Sequence, residues 1–407
     1  MTDAAPPDRA ETPPVFRRRV FYIPGYDPIH PRRYRELYRR EGQDQAKISG
    51  YHLELTPKKV KGPYGWHVNT LIDGARGQAD IEVLVWADIV KSSMERGIAG
   101  TYLQLVRTAW AYIGSGALFR LAGLRKGPMI AALYPIVFLL VQLLLSCLAG
   151  WGLGLVISQV HPILGWAAGL ALVWAMLRAF KRWDNKVFAY YLMHDYAYSA
   201  QAGGANPPEL EARMARFRQT ITEALAGDFD EVLVVGHSSG AHLAVSILSD
   251  IIRAGLPEPR PALAFLSLGQ VVPMVSFLPR AQRLRADLHY LAARDELVWI
   301  DVTAPGDGCA FALCDPVAVT GVAPAGKRWP LVVSAAFTQT LSPARWAELR
   351  WRFFRLHFQY LCAFDRPRDY DYFQITGGAI PLAARYKHRP ASKSRIETPA
   401  SGYRDMA

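Results

Sequence analysis

Hydrophobic residues in this chain alternate between short runs of β-forming residues and longer stretches with helical spacing. The short runs predict strands at 19–23, 50–56, 65–72, 81–88, 231–235, 262–269, 296–303 and 330–337. Helical spacing is found at 32–40, 93–124 and 209–226, and again after 240. Because strands and helices alternate, the pattern predicts an α/β fold, with a mostly parallel sheet sandwiched by helices. The runs 50–56 and 65–72 alternate loosely and predict a hairpin or two edge strands.

Two long apolar runs interrupt this alternation. Residues 129–160 contain no charged side chain, and after His161 and Pro162 a second uncharged run covers 163–177. A helix that spans a membrane needs about 20 mostly apolar residues. The turn between the runs is very short, so we expect an inserted transmembrane helical hairpin at 127–182, with both ends on one side of the membrane. A re-entrant hairpin that dips in from one face is the alternative.

Two segments beside the hairpin allow more than one interpretation. In 93–124, four apolar residues recur at helical spacing and indicate either core or a helix against a membrane surface: Leu103, Val106, Trp110 and Ile113. The segment 183–202 holds His194, Asp195 and many aromatic residues, namely Phe188, Tyr190, Tyr191, Tyr196 and Tyr198. These aromatic residues either close a pocket or pack at the membrane interface, and we favour packing.

The net charge of +12 fits either a nucleic-acid surface or an anionic membrane face. Basic residues flank the hairpin on both sides and are missing from its turn: Arg120, Arg125, Lys126, Arg178, Lys181, Arg182 and Lys186. The positive-inside rule therefore predicts a two-helix membrane protein whose remaining chain faces the cytoplasm, at the inner leaflet of a bacterial inner membrane. This placement accounts for much of the charge, so no nucleic-acid partner is expected.

The chain divides by composition into five parts. We expect a disordered leader at 1–18, a first part of the α/β domain at 19–126, the hairpin at 127–182, the remainder of the domain at 183–385 and a polar tail at 386–407. The leader is rich in proline and has no apolar signal-peptide core. The four cysteines show no metal-type spacing, so we expect reduced structural cysteines and no metal or cofactor.

One motif carries the chemistry. The apolar strand residues 232–235 end at Gly236, small residues follow, and helical spacing resumes at Leu243. The sequence Gly-His-Ser-Ser-Gly at 236–240 thus matches G-x-S-x-G between a strand and a helix, where glycines relieve the clashes of a strained serine turn. It resembles the nucleophile elbow of α/β-hydrolases. The resemblance covers about 19–90 and 228–385 and implies that Ser238 is the nucleophile.

The resemblance also implies an oxyanion hole. In α/β-hydrolases one backbone N–H comes from the loop after an early strand and the other from the residue after the nucleophile. Pro24, Gly25 and Tyr26 form such a loop, in which Gly25 permits close approach of the backbone. The expected donors are the N–H groups of Tyr26 and Ser239.

The partners of Ser238 follow from the family's order of serine, acid and histidine. Two histidines lie late enough, His357 in an aromatic setting and His388 in the polar tail, and we choose His357. For the acid we choose Asp307, on a Gly-flanked turn after the strand 297–303; Asp301 and Asp315 are the alternatives. We interpret His237 and His242 as structural, with His237 near the rim of the pocket.

These residues predict a membrane-anchored serine hydrolase that cleaves an ester of a lipid or a lipid-like amphiphile through an acyl-enzyme. An acyltransferase or thioesterase uses the same machinery and is an alternative. So is a catalytically silent scaffold with the same fold. Acyl length, head group and oligomeric state are left open by the sequence.

Overall fold

The computed structural model describes residues 15–407 and contains one eight-stranded sheet. Its strands are β1 (Phe16–Ile23), β2 (His52–Pro57), β3 (Gly65–Ile72), β4 (Ala75–Val83), β5 (Glu231–His237), β6 (Ala262–Leu268), β7 (Leu297–Thr303) and β8 (Leu331–Ser334). Their spatial order is β2-β3-β4-β1-β5-β6-β7-β8, and only β3 runs antiparallel to its neighbours. The predicted α/β class with a mostly parallel sheet is therefore confirmed.

Helices cover both faces of this sheet. They are α1 (Arg32–Ser49), α2 (Ala87–Met94), α3 (Ile98–Gly114), α4 (Ala117–Ala122), α5 (Lys126–Ser158), α6 (Pro162–Arg182), α7 (Asp184–Val187), α8 (Ala189–Ala200), α9 (Pro208–Leu225), α10 (Gly240–Arg253), α11 (Val272–Ser276), α12 (Gln282–Leu291), α13 (Pro316–Thr320), α14 (Phe337–Thr340), α15 (Pro343–Leu349), α16 (Phe353–His357), α17 (Tyr372–Gly377) and α18 (Leu382–Tyr386). Two short 3-10 helices cover Gln201–Gly204 and Phe358–Leu361.

The central strand β5 shows why the sheet is covered on both sides. All of its residues are buried, as expected for a parallel strand inside a sheet. Val232 and Val234 pack into a core with α9, α10 and α12, whereas Leu233 and Val235 face a second core with α1 and α17. Successive side chains point to opposite faces, so one strand anchors both layers.

Both ends of the described chain are joined to the body of the fold. The first strand begins at Phe16, within the predicted leader, and the rest of that leader, 1–14, lies outside the described residues. The polar tail runs along the body, where Ile396 pairs with Cys314. The buried guanidinium of Arg285 donates to Asp405 Oδ1 at 3.0 Å. The tail is therefore held to the body by defined contacts.

The stretch 93–124 forms parts of three helices instead of one. The breaks fall at Gly97, just before α3, and at Gly116, whose φ of 72° ends the helical path. The apolar residues noted in α3 are all at least half exposed: Leu103, Val106, Trp110 and Ile113. The core interpretation is thus wrong for them, and they form an apolar stripe on the surface of α3.

Helices α5 and α6 form the expected hairpin and are long and apolar enough to cross a membrane. They approach closely at small residues, since a Cβ on Gly150 would lie 2.6 Å from the carbonyl oxygen of Gly169. Small residues that bring two backbones together are typical of helix pairs in lipid. The part of α5 up to Leu139 instead packs on the body, where the Leu139 carbonyl oxygen accepts a hydrogen bond from Tyr102 at 3.0 Å.

Candidate active site

Ser238 lies on the sharp turn between β5 and α10. Its φ is 56°, in the left-handed region that a non-glycine residue occupies only under strain. The two motif glycines are required by packing: a Cβ on Gly236 would lie 2.7 Å from Cα of Ala241, and one on Gly240 would overlap the carbonyl oxygen of Ile23. The N–H of Ser238 donates to Leu268 at 2.9 Å. The turn thus holds the serine side chain out at the end of the sheet.

The loop after β1 lies directly against this serine. A Cβ on Gly25 would be 2.8 Å from Cβ of Ser238 and 3.3 Å from its Oγ, so only glycine fits there. Within residues 15–407, the N–H groups of Tyr26 and Ser239 have no backbone hydrogen-bond partner. The Tyr26 side chain is held by a 2.6 Å hydrogen bond with Ser93 Oγ. The two expected donors are therefore next to Ser238 and available to a ligand.

His357 and Asp307 form a hydrogen-bonded pair. His357 Nδ1 lies 2.7 Å from Asp307 Oδ2, and this oxygen also accepts from the Tyr360 hydroxyl at 3.0 Å. The other carboxylate oxygen accepts from the Cys309 N–H at 2.9 Å. Burial on its own would raise the pKa of Asp307, but the neighbouring His357 and these hydrogen bonds hold it below its usual value. Asp307 is thus an ionised partner that orients the imidazole.

The other ring nitrogen of His357, Nε2, is the one available to Ser238. His357 Nε2 is buried and has no hydrogen-bond partner in the described part of the chain, and Ser238 and His357 line the same space. The Ser238–His357 hydrogen bond is therefore not formed here. Such bonds are commonly long before substrate binds.

The alternative acids have other partners. Asp301 accepts from Ser267 Oγ at 2.6 Å inside β7, where burial raises its pKa to about 8. Asp315 caps α13 by accepting from the N–H groups of Val317 and Ala318. It also pairs with Lys327 at 2.6 Å. The structure therefore brings Asp307, and neither of these two, to His357.

The other histidines are not placed to act as a base on Ser238. His388 is exposed on the tail. His237 is buried, and its Nε2–H donates to the carbonyl oxygen of His357 at 3.0 Å. Burial lowers the pKa of His237 to about 3, so the ring stays neutral and supports the backbone of His357.

The cavity that holds Ser238 has a volume of about 170 Å³ and is mostly apolar. One wall is the start of α5, through Pro128, Met129, Ala132, Leu133 and Ile136. Tyr191 and Tyr196 of α8 form another wall, so the favoured packing interpretation is wrong for these two. Helix α5 of the hairpin and Ser238 thus line one chamber.

Sequence reasoning missed three polar residues of the site. Tyr360 follows His357 by three positions and fixes Asp307, and Cys309 lines the cavity beside that acid. Asp195 also lines the cavity, its Oδ1 has no partner within residues 15–407, and burial raises its pKa to about 7. The only signal for Asp195 was its position among the aromatic residues of α8.

Asp307, Cys309 and His357 also have ligand atoms within 4.8 Å of one another, close enough to hold a metal ion. The chemistry of the set fits a metal poorly. The carboxylate and the imidazole are already bonded to each other, and burial raises the pKa of the Cys309 thiol well above its usual value, which keeps it protonated. The arrangement is better suited to acid–base work.

A serine on a strained turn, a histidine oriented by a carboxylate and two free N–H groups are the components that acyl transfer through serine requires. Tyr26, Ser238 and His357 line one apolar chamber, Ser239 follows Ser238 in the turn, and Asp307 is bonded to His357. Comparison of the chain with protein-family models, with curated proteins and with solved structures finds no match, so this geometry is the basis for assigning a function.

Proposed function

We propose that this protein is a membrane-anchored serine hydrolase with an α/β-hydrolase-like fold, which cleaves acyl esters of lipids or lipid-like amphiphiles. One observation carries the proposal. Ser238, on its left-handed turn, lines the same apolar cavity as His357, whose other ring nitrogen is bound to Asp307.

The order of elements supports the fold part of the proposal. The nucleophile follows the central strand β5, the acid follows β7, and the histidine comes after β8. An antiparallel strand near one edge of an otherwise parallel sheet also fits. One feature departs from the expected pattern: β2 and β3 follow β1 along the chain instead of preceding it.

In the proposed acylation step, Ser238 Oγ attacks the ester carbonyl carbon and its proton passes to His357 Nε2. The negative charge that develops on the carbonyl oxygen is stabilised by the N–H groups of Tyr26 and Ser239. Asp307 stabilises the imidazolium without taking its proton. When the tetrahedral intermediate collapses, the ester C–O bond breaks and the alcohol leaves with the proton from His357.

Deacylation repeats the sequence with water as the nucleophile. His357 removes a proton from water, which attacks the acyl-enzyme carbonyl, and the same two N–H groups bind the oxyanion. Collapse returns the proton to Ser238 Oγ and releases the carboxylic acid. The chain's own residues supply every proton transfer.

The hairpin is the main argument that the substrate is a lipid. An acyl chain needs an apolar site, and here the wall of that site is the first part of α5, the helix that continues into the longer candidate span. Basic residues at both hairpin ends favour a cytoplasmic position for the catalytic part, by the positive-inside rule. In this arrangement a bilayer-dissolved ester reaches Ser238 without crossing bulk water.

The test uses the full chain purified in detergent. We expect a fluorophosphonate probe to label the wild type and fatty acid to be released from acyl esters. Ser238→Ala abolishes both activities, because the attacking oxygen is gone. His357→Ala lowers ester turnover by about 10³-fold or more.

Ser249→Ala is the matched control, since Ser249 lies on the same helix α10 and bonds to a backbone carbonyl outside the cavity. It should label and turn over like the wild type. Labelling and turnover that persist in Ser238→Ala would contradict the proposal.

A further inference from the structure

A second, smaller space lies behind Tyr26 and Ser239. It has a volume of about 20 Å³, and we call it the polar recess; four of its lining residues carry a buried polar atom with no hydrogen-bond partner within residues 15–407. These atoms are Asp195 Oδ1, Tyr198 Oη, Ser239 Oγ and His242 Nδ1. Tyr198, Ser239 and His242 are at most 9% exposed.

Four unpartnered polar atoms around one space indicate a ligand. An unsatisfied buried polar group costs about 1–3 kcal/mol, and native proteins contain few of them. A space of 10–15 Å³ or more holds one water-sized group when it offers two to four polar partners. The polar recess therefore has the size and the donors and acceptors for a single hydroxyl group or water.

The polar recess lies next to the proposed catalytic cavity and shares two lining residues with it. Tyr26 and Asp195 line both spaces. Ser239, whose N–H is one of the two proposed oxyanion donors, also lines the recess. Its hydroxyl oxygen has no hydrogen-bond partner within residues 15–407. Because Tyr26 and Ser239, the two proposed oxyanion donors, both line the recess, a group bound there lies behind the position proposed for the ester carbonyl oxygen.

The charges around the two spaces disfavour a permanently anionic substrate group. Among residues 15–407, no Lys or Arg side chain lines either space, whereas two acids, Asp27 and Asp195, line the cavity. Asp27 is already bonded, accepting from Tyr34 Oη at 2.6 Å and from the Ile29 N–H. Burial lowers the pKa of His242 to about 4, so this ring adds no positive charge. A phosphate in this place would have no counter-charge.

We propose that the polar recess is a hydroxyl-binding subsite, with Asp195 as its main specificity-determining residue, and that the hydrolase takes uncharged esters with a free hydroxyl near the scissile carbonyl. This inference rests on the proposed function. A hydroxyl both donates and accepts, which matches the carboxyl, hydroxyl and imidazole groups around the recess. Two substrate types provide such a hydroxyl: a glycerol ester on the alcohol side and a 3-hydroxyacyl ester on the acyl side.

Four esters with the same acyl length separate these cases. They are monomyristoylglycerol, methyl 3-hydroxymyristate, methyl myristate and the anionic myristoyl lysophosphatidate, with free acid measured by mass spectrometry. For the wild type we expect kcat/KM of at least one hydroxylated neutral ester to exceed that of methyl myristate by about tenfold, the effect of one strong net hydrogen bond. Whichever ester is preferred identifies the side that carries the hydroxyl. We expect lysophosphatidate to be at least about tenfold poorer than monomyristoylglycerol.

The variants are judged by the ratio of kcat/KM for the preferred hydroxylated ester to that for methyl myristate. Asp195→Leu brings this ratio close to one, because the acceptor is removed. Asp195→Asn keeps a carbonyl acceptor of the same shape and retains part of the preference. Tyr198→Phe removes a single hydroxyl and lowers the ratio severalfold, which tests the recess even if Asp195→Leu fails to fold. Tyr64→Phe, at an exposed tyrosine, is the matched control and leaves the ratio unchanged.

Equal kcat/KM for hydroxylated and plain methyl esters in the wild type means that the recess holds only water, and it overturns the subsite. A preference that survives both Asp195→Leu and Tyr198→Phe overturns it as well. Equal use of lysophosphatidate overturns the restriction to uncharged esters. Absence of fluorophosphonate labelling in the wild type is a different result, because it removes the proposed hydrolase itself. Labelling without hydroxyl selectivity removes only the subsite.

Discussion

The carboxyl groups of Asp301 and Asp307 belong to β7 and to the loop after it, yet their surroundings give them different charges. Asp307 is held ionised by His357, Tyr360 and a backbone N–H. Asp301 is buried beside Ser267, and the desolvation that raises its pKa to about 8 keeps it protonated at neutral pH. The neutral amide of asparagine therefore resembles the protonated side chain of Asp301 but not the ionised side chain of Asp307.

The same substitution at both positions tests this difference. We expect Asp307→Asn to lower kcat by about 10³–10⁴-fold at pH 7, because the imidazole loses the partner that fixes its tautomer and stabilises its charge. Asp301→Asn should leave kcat little changed. Steady-state ester hydrolysis at pH 7 measures both. A large loss with Asp301→Asn and a small one with Asp307→Asn would reverse the assignment.

At the scale of residues, the sequence predicts the site residues that belong to a motif or whose order along the chain the family pattern specifies. Ser238 has flanking glycines at the required spacing, and His357 is one of only two histidines late enough in the chain. The Gly-flanked turn favours Asp307 over two other candidate acids, and the structure brings Asp307 to His357. No sequence motif identifies Asp195. Its position at the cavity depends on α8 packing beside the Ser238 turn, and no short-range sequence pattern predicts this packing.

At the scale of elements, the glycines of the hairpin set how closely α5 and α6 pack. Gly150 faces Gly169, and a Cβ there would lie within 2.6 Å of the opposing carbonyl oxygen, whereas a Cβ on Gly152 would meet nothing within 4 Å. Both glycines lie on α5, so the helix propensity at the two positions is the same, and they differ in what a Cβ would meet.

We therefore expect Gly150→Leu to separate the helices and to lower stability by about 1–3 kcal/mol through overpacking. Gly152→Leu is the matched control and should be neutral or slightly stabilising, because leucine favours the helix more than glycine does. Thermal unfolding of both variants in the same detergent measures the difference. Equal loss in the two variants would mean that the close approach at Gly150 does not hold the hairpin together.

The elements themselves were predicted well where their pattern is long. Two uncharged runs separated by His161 and Pro162 specify the hairpin almost to the residue. The stretch 93–124 was predicted as one helix, because its apolar spacing continues across Gly116, where the backbone turns. The hairpin predicted for 50–56 and 65–72 is confirmed, because β2 pairs antiparallel with β3. The parallel pairing of β4 with β1 joins residues about 60 positions apart, and no local pattern indicates it.

At the scale of the whole molecule, the dimensions of the hairpin favour a full crossing over a re-entrant dip. The 21 residues of α6 rise about 32 Å, and residues 137–158 of α5 rise about 33 Å. Both match a hydrocarbon core of about 30 Å. The basic residues lie at the two ends of the hairpin, so the positive-inside rule predicts that these ends face the cytoplasm together with the proposed catalytic part.

An epitope inserted after Val160 and a second one at the C-terminus test this arrangement in bacterial spheroplasts. We expect antibody to reach the turn epitope in intact spheroplasts and the C-terminal epitope only after lysis. A turn epitope that is also hidden until lysis would indicate the re-entrant alternative. The C-terminal epitope serves as the internal control for an intact membrane.

Helix α5 is continuous: residues near its N-terminus line the chamber, and its C-terminus leads into the turn of the hairpin. Helices in a bilayer thicker or thinner than their apolar length adjust by tilting. A change in the tilt of α5 would move its N-terminal end, where Met129 and Leu133 line the chamber. Pro135 lies just after these residues, and a proline inside a helix weakens its hydrogen bonding at that point. We therefore expect the width of the chamber to vary with the thickness of the bilayer, so that lipid composition would change turnover by the proposed hydrolase as well as supply its substrate.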